Sequence, residues 1–257
     1  NPDFLLFIVT LILVTIGTIM IYSSSSIIAV ERYKNAQFFL WKQLIFVTLG
    51  VTAMLVLSRY HYKNLKKLAY PALGVSAVLL ILILIPHVGV RAGGATRWLR
   101  MGFFSFQVSE LVKIVVVLFL AHYLTRKREQ LKELKQGVLA PLATVISLVF
   151  LIILEPDFGT AVIITMTMMF MLYLAGSRIK HLAGLMALFI PVGLWLVMHK
   201  SYRMERLMTF LDPWKDPGKS GFQIIQSLLS FGSGGTFGVG IGDGMQKLFY
   251  LPEPHTD

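Results

Sequence analysis

Seven apolar runs, each close to the length of a bilayer-crossing helix, constrain this chain more than any other feature. They lie at Phe4–Ile28, Phe38–Leu57, Leu68–Ile85, Phe103–Leu124, Val138–Leu154, Phe158–Ala175 and Leu182–Met198. A helical span takes about 20 mostly apolar residues, and several of these runs fall slightly short, so their ends are loosely set. In hydrocarbon the backbone must satisfy its own hydrogen bonds, which leaves helices or closed barrels. The runs lack the alternation of barrel strands, so the expected fold class is all-α, a polytopic transmembrane helical protein with seven spans. A composition with 56% hydrophobic and 14% charged residues excludes an ordinary soluble domain. The first run is too long for a signal-peptide core and has no basic stretch before it.

The formal net charge of +11 invites a nucleic-acid reading, but the placement of the charges points to a membrane instead. The connections at 58–67, 125–137 and 176–181 carry eleven Lys and Arg, whereas the alternate ones at 31–37, 86–109 and 155–157 carry five. The positive-inside rule then puts the first set and the N-terminus in the cytoplasm. Membrane lipids, not nucleic acid, are the implied surroundings. Seven spans place the polar, glycine-rich stretch His199–Asp257 outside the cytoplasmic membrane, as an extracytoplasmic loop within one transmembrane domain covering residues 1–257.

Chemistry must come from a restricted palette. With no cysteine, thiolate catalysis and zinc–thiolate sites are excluded, and the six histidines show no metal-ligand spacing. Four stretches hold residue types that membranes accept only at a cost. Glu110 and Lys113 are three apart on a predicted helix and can pair. A charge at mid-bilayer costs about 2.5 to 3.5 kcal/mol, so the two read equally as functional groups or as a structural ion pair, and Ser109 can cap the same helix. In Glu155-Pro156-Asp157, Asp157 is best read as the cap of the next helix, with substrate contact the weaker alternative. Arg203 and Arg206 form a ridge suited to phosphate oxygens or to lipid headgroups. The glycine-rich run 232–242 could cradle phosphate through its amides or simply pack as a loop. The terminal Glu253, His255 and Asp257 sit among prolines that disfavour a helix, as a base, a metal ligand or satisfied polar groups.

Together these motifs resemble the SEDS family of cell-wall proteins, which contains RodA, FtsW and SpoVE. The resemblance covers essentially the whole chain. It rests on Gly94–Trp98, Gln107–Lys113 with its Ser-Glu-x-x-Lys, EPDFGTA at 155–161, RLMTFLDP at 206–213, Gln226-Ser227, Gly232–Gly242 and QKLFYLPEPHTD at 246–257. The wording from Arg203 to Trp214 is more similar to the FtsW and SpoVE branch than to RodA. Family members have ten spans, so the resemblance implies that a C-terminal part is missing after Asp257 and that the cytoplasmic N-terminus before Asn1 is trimmed.

The resemblance further implies a peptidoglycan glycosyltransferase that polymerises lipid II at the outer face of the cytoplasmic membrane. The expected partners are lipid II and a class B penicillin-binding protein. Inverting transfer needs one carboxylate to accept the proton of the attacking sugar hydroxyl, and the family match assigns that role to Asp257. Arg203, Arg206, Lys113 and Lys247 are candidates to hold the pyrophosphate. Glu110 is expected to orient Lys113 or the acceptor, and Arg97 to line the external entrance. A divalent cation would suit a pyrophosphate substrate, although no ligand cluster demands one. A lipid II flippase and a non-catalytic transpeptidase scaffold are the rival readings. Ionisable groups gathered at the outer edge, not through the midplane, favour surface chemistry over transport.

Overall fold

A computed structural model describes residues 3–92, 95–101, 104–236, 238–240 and 244. By contact the chain divides into two compact units, residues 1–60 with 193–257, and residues 61–192.

In the first unit, α1 (Phe4–Tyr33) and α2 (Phe38–Arg59) pack against each other. Asp3 starts α1, its carboxylate accepting from the Leu5 and Leu6 amides at 3.0 and 3.2 Å. The hydroxyls along α1 do not break it, because they return their hydrogen bonds to the preceding turn: Thr10 to Leu6, Thr15 to Leu11, Thr18 to Val14 and Ser25 to Ile21. A hydroxyl satisfied in this way can face lipid. Stacking of Tyr33 on Phe38, with ring centroids 3.9 Å apart, closes the turn between the helices. The chain after Met198, expected from sequence as a long polar loop, is largely helical among its described residues. It forms α8 (Ser201–Leu211) and α9 (Phe222–Gly234), with α7 (Ile179–Met198) before them.

The second unit is a helical bundle of α3 (Ala69–Leu84), α4 (Val108–Arg126), α5 (Ala140–Leu154), α6 (Phe158–Leu174) and the first part of α7. Its interior is filled by Leu80, Ile83, Val112, Val116, Phe119, Ile152, Ile164 and Met168, all essentially inaccessible. Lipid is as apolar as these side chains, so close packing holds the helices together more than transfer out of water does. Large apolar side chains such as Ile114, Phe150, Met166 and Phe170 point outward from the same bundle, as membrane-facing positions do.

Two further features differ from the sequence reading. Among the described residues six helices are long and apolar enough to cross a membrane, while α6, at 17 residues, is shorter. At 1.5 Å per residue it spans roughly 25 Å, which makes the count of seven approximate. The connection after α3 is also not irregular. It folds into an antiparallel sheet of β1 (Gly89–Ala92), β2 (Ala95–Met101) and β3 (Phe104–Gln107), in that order. The sheet takes Phe104–Gln107, which sequence assigned to the fourth span, so α4 begins only at Val108. Gly89 is required where β1 leaves α3, since a Cβ there would meet the Thr96 side chain and come within 2.9 Å of the Ile83 carbonyl.

Candidate functional site

The sheet matters because of what it carries to the bundle. Side chains alternate along β2, so Arg97 and Leu99 share a face. Leu99 packs against the core, while Arg97 reaches the turn between α5 and α6. There its Nη2 donates to the Pro156 carbonyl, and its Nη1 lies 4.0 Å from Asp157 Oδ1. Register places Gln107 opposite Trp98 at the end of β3, one residue before α4. From that position Gln107 Nε2 donates to Asp157 Oδ2 at 3.2 Å and to Ser109 Oγ at 3.0 Å. The Ser109 hydroxyl, fully buried in the first turn of α4, donates to the same Asp157 oxygen at 3.1 Å.

Asp157 is therefore the node. Its other oxygen accepts the Thr160 amide at 3.3 Å, so it also caps α6 as the sequence predicted, beside the positive end of the helix dipole. Ser109, which sequence offered as a cap for α4, instead spends its hydroxyl on Asp157. The residue at the cap position is Gln107, and its side chain makes no capping bond.

Two residues away, Glu155 is in the opposite situation. It is 1% exposed, and neither carboxyl oxygen has a hydrogen-bond partner among the described residues. Burial, and after it the neighbouring Asp157 carboxylate, push its pKa up to about 8, with Arg97 pulling the other way. At neutral pH this side chain is mostly an uncharged acid and a hydrogen-bond donor. It lines a cavity of about 350 Å³ formed with the end of α3, the turn that follows it, Gly89 and Thr96. Arg97 Nε, buried too, likewise lacks a partner among the described residues.

The sequence-derived candidates distribute unevenly. Glu110 and Lys113 do pair, with Nζ to Oε1 at 2.8 Å, on the first turns of α4. Arg97 does not simply line an opening but holds the α5–α6 turn. In the first unit, Arg203 is buried and donates from Nη1 to the Leu196 carbonyl at the end of α7 and from Nε to the Tyr202 hydroxyl, both at 2.9 Å. This is the work of a helix-end cap. Arg206, three residues on, is exposed. Lys247 and Asp257 lie outside the described residues. Among the described residues no three His, Asp or Glu side chains converge as metal ligands. Sequence reasoning missed Gln107, Ser109 and Glu155 as site residues. The available signal was the density of polar residues at two helix junctions, Gln107–Ser109 and Glu155–Asp157, which no local reading could join.

The described structure defines a multi-pass helical membrane protein with a polar cluster where β3 meets α4 and α5 meets α6. The family model for the FtsW, RodA and SpoVE proteins, described as cell cycle proteins, matches residues 3–257. The chain belongs to this family. It is 39% identical over 255 residues to a probable peptidoglycan glycosyltransferase FtsW of Trichlorobacter lovleyi, covering 99% of this chain and 67% of the relative. It is 41% identical to stage V sporulation protein E of Bacillus subtilis, covering 100% and 70%. Among solved structures it matches a chain of a peptidoglycan synthase complex of polymerization and crosslinking, at 28% identity and a TM-score of 0.63, covering 86% of this chain and 65% of that one. It also matches the rod shape determining protein RodA of Thermus thermophilus, at 26% identity and a TM-score of 0.57, covering 73% and 58%. The chain thus spans from somewhat over half to about two thirds of the length of these proteins.

Proposed function

We propose that this chain is part of a peptidoglycan glycosyltransferase that polymerises lipid II at the outer face of the cytoplasmic membrane. The observation that carries the reading is its identity of about 40%, over essentially its whole length, to proteins named for that activity or for sporulation. In this reading the N-terminus is cytoplasmic and residues 199–257 are extracytoplasmic, as the loop charges suggest. A class B penicillin-binding protein is the proposed partner; likeness to a chain of a peptidoglycan synthase complex supports an assembly of this kind.

The chemistry is a direct displacement. A sugar hydroxyl of one chain attacks the anomeric carbon of another, the bond to the pyrophosphate breaks with inversion, and the hydroxyl proton passes to a base. Asp257 is the proposed base. Charge grows on the departing pyrophosphate, and cationic side chains placed where it develops lower the barrier. Arg206, exposed on α8, together with Lys113 and Lys247, is proposed for that role. Arg203 and Arg97 are proposed to act by holding α7 and the α5–α6 turn in place, because their guanidinium groups already donate to Leu196 and Pro156.

Lipid II polymerisation by the purified full-length protein and its Asp257→Asn variant tests the assignment. Asparagine keeps the shape but cannot take the proton, and general-base assistance is worth about 10² to 10⁴ in rate. Loss of that size, with lipid II binding and thermal stability retained, is the expected result. A loss of only a few-fold would remove Asp257 from the role.

A further inference from the structure

Glu155 raises a question that the glycosyl transfer does not answer. Buried polar groups in proteins are nearly always hydrogen-bonded, yet this residue is 1% exposed and both its carboxyl oxygens lack a partner among the described residues. Glu155 is also one of the residues that line the cavity of about 350 Å³, a volume within the range of small-ligand sites. A single water occupies about 30 Å³, so the space is far larger than a bridging water needs.

The lining restricts the occupant. One part is apolar, from Ile83, Pro86 and Leu154, and the other is polar, from Thr96, His87 and Glu155. Around Glu155, the charged neighbours among the described residues are Asp157 on its own turn and Arg97 on β2, which act on it in opposite directions with Asp157 the stronger. His87 faces it from the turn after α3, and the α4 residues of the cluster, Ser109 and its neighbour Gln107, are neutral. Neither Arg97 nor Asp157 is among the described residues of the wall, whose ionisable side chains are His87 and Glu155, so a strongly ionic ligand finds no fixed counter-charge lining the space. A neutral molecule with an apolar face and a hydroxyl or amide edge fits both halves of the wall. A pyranose ring has that form.

We propose that this cavity is a subsite for one uncharged sugar ring of a glycolipid, with the Glu155 carboxyl donating a hydrogen bond to a hydroxyl or amide oxygen of the ring. The proposal rests on the glycosyltransferase reading and names the part of the substrate that this unit recognises. It gives the unpartnered acid its partner and explains why its proton is kept. Recognition by a buried donor is selective, because a ligand lacking the acceptor leaves that donor unpaired. Loss of the Glu155 proton near pH 8 replaces the donor with a buried negative charge, so sugar binding weakens as pH rises.

The test measures affinity of the purified full-length protein in nanodiscs for two probes, lipid II and a polyprenyl pyrophosphate without sugars, from pH 6.5 to 9. Wild-type affinity for lipid II should fall about tenfold across this range relative to the sugarless probe. Glu155→Gln, which keeps a neutral donor, should abolish that relative fall. Glu155→Leu should weaken lipid II binding about tenfold at pH 6.5 and leave the sugarless probe unchanged, with a neutral hydrogen bond setting the scale. An unchanged affinity in Glu155→Leu would mean the cavity holds water only and would overturn the proposal. So would a Gln variant with the wild-type pH profile, or equal loss for both probes. Because the Gln variant keeps size and polarity, the proposal stays testable if the Leu variant does not fold. Polymer formation by the wild type is scored separately. Sugar-dependent binding without polymer fails the enzyme reading alone, and polymer formation with Glu155-independent binding fails this one alone.

Discussion

Replacing Asp157 should unsettle the second unit more than any other single polar change, and the structure sets the size. Its Oδ2 accepts from Gln107 and Ser109 at 3.2 and 3.1 Å, its Oδ1 accepts the Thr160 amide at 3.3 Å, and Arg97 stands 4.0 Å away. Asp157→Ala removes the helix cap, worth about 1 kcal/mol. It also strands the buried Ser109 hydroxyl, at a cost of about 1 to 3 kcal/mol. The ion pair adds little, because the Arg97 side chain is 29% exposed and the separation is long. Glu155 offers no compensating relief at neutral pH, since as an uncharged acid it is barely repelled by Asp157. The sum is about 3 kcal/mol, or roughly 6 to 12 °C in Tm for a chain of this size. Asp157→Asn keeps one carbonyl acceptor and should lose about half as much. Thermal unfolding of the purified protein in detergent reads both. An alanine variant melting within 2 °C of wild type would refute the node assignment. An asparagine variant as damaged as alanine would show that charge, not acceptor geometry, dominates.

Glu110 and Lys113 should couple weakly. Their side chains are 55% and 32% exposed, and such i,i+3 pairs are worth about 0.3 to 0.5 kcal/mol; a Glu110→Gln, Lys113→Met double-mutant cycle that is strictly additive in stability would show no interaction. For topology, single cysteines replacing Arg97 and Lys219 should react with an impermeant thiol reagent in intact cells, and those replacing Lys63 and Lys127 should not. Labelling at 63 or 127 would overturn the proposed orientation.

The helices were legible because lipid imposes one rule along the whole chain: length and apolarity suffice, and the hydroxyls of α1 could be accommodated by their own backbone. The cap at Asp157 and the pair Glu110–Lys113 were legible too, being local in sequence. The sheet was not. Phe104 and Phe106 extend the apolar run toward α4, and nothing in their chemistry distinguishes a strand from the first turn of a span. Arg203 illustrates the same limit. Its spacing from Arg206 suggested a shared cationic ridge, but the end of α7 exposes carbonyls that need donors, and Arg203 is drawn inward to Leu196 while Arg206 stays exposed.

Glu155 and Asp157 show why a site can escape local reading even when every residue is in view. Both are acids at one turn, separated by a proline, and a sequence offers no ground for treating them differently. The difference comes from residues about fifty positions earlier: Gln107 and Ser109 aim their donors at Asp157, and none of the described residues donates to Glu155. One acid is built into the fold, and the other is left facing a cavity. A bundle stabilised mainly by packing gains nothing from a buried, unpartnered carboxyl, which costs free energy until something binds it. That cost is the physical reason to look for function at Glu155, and stability at Asp157.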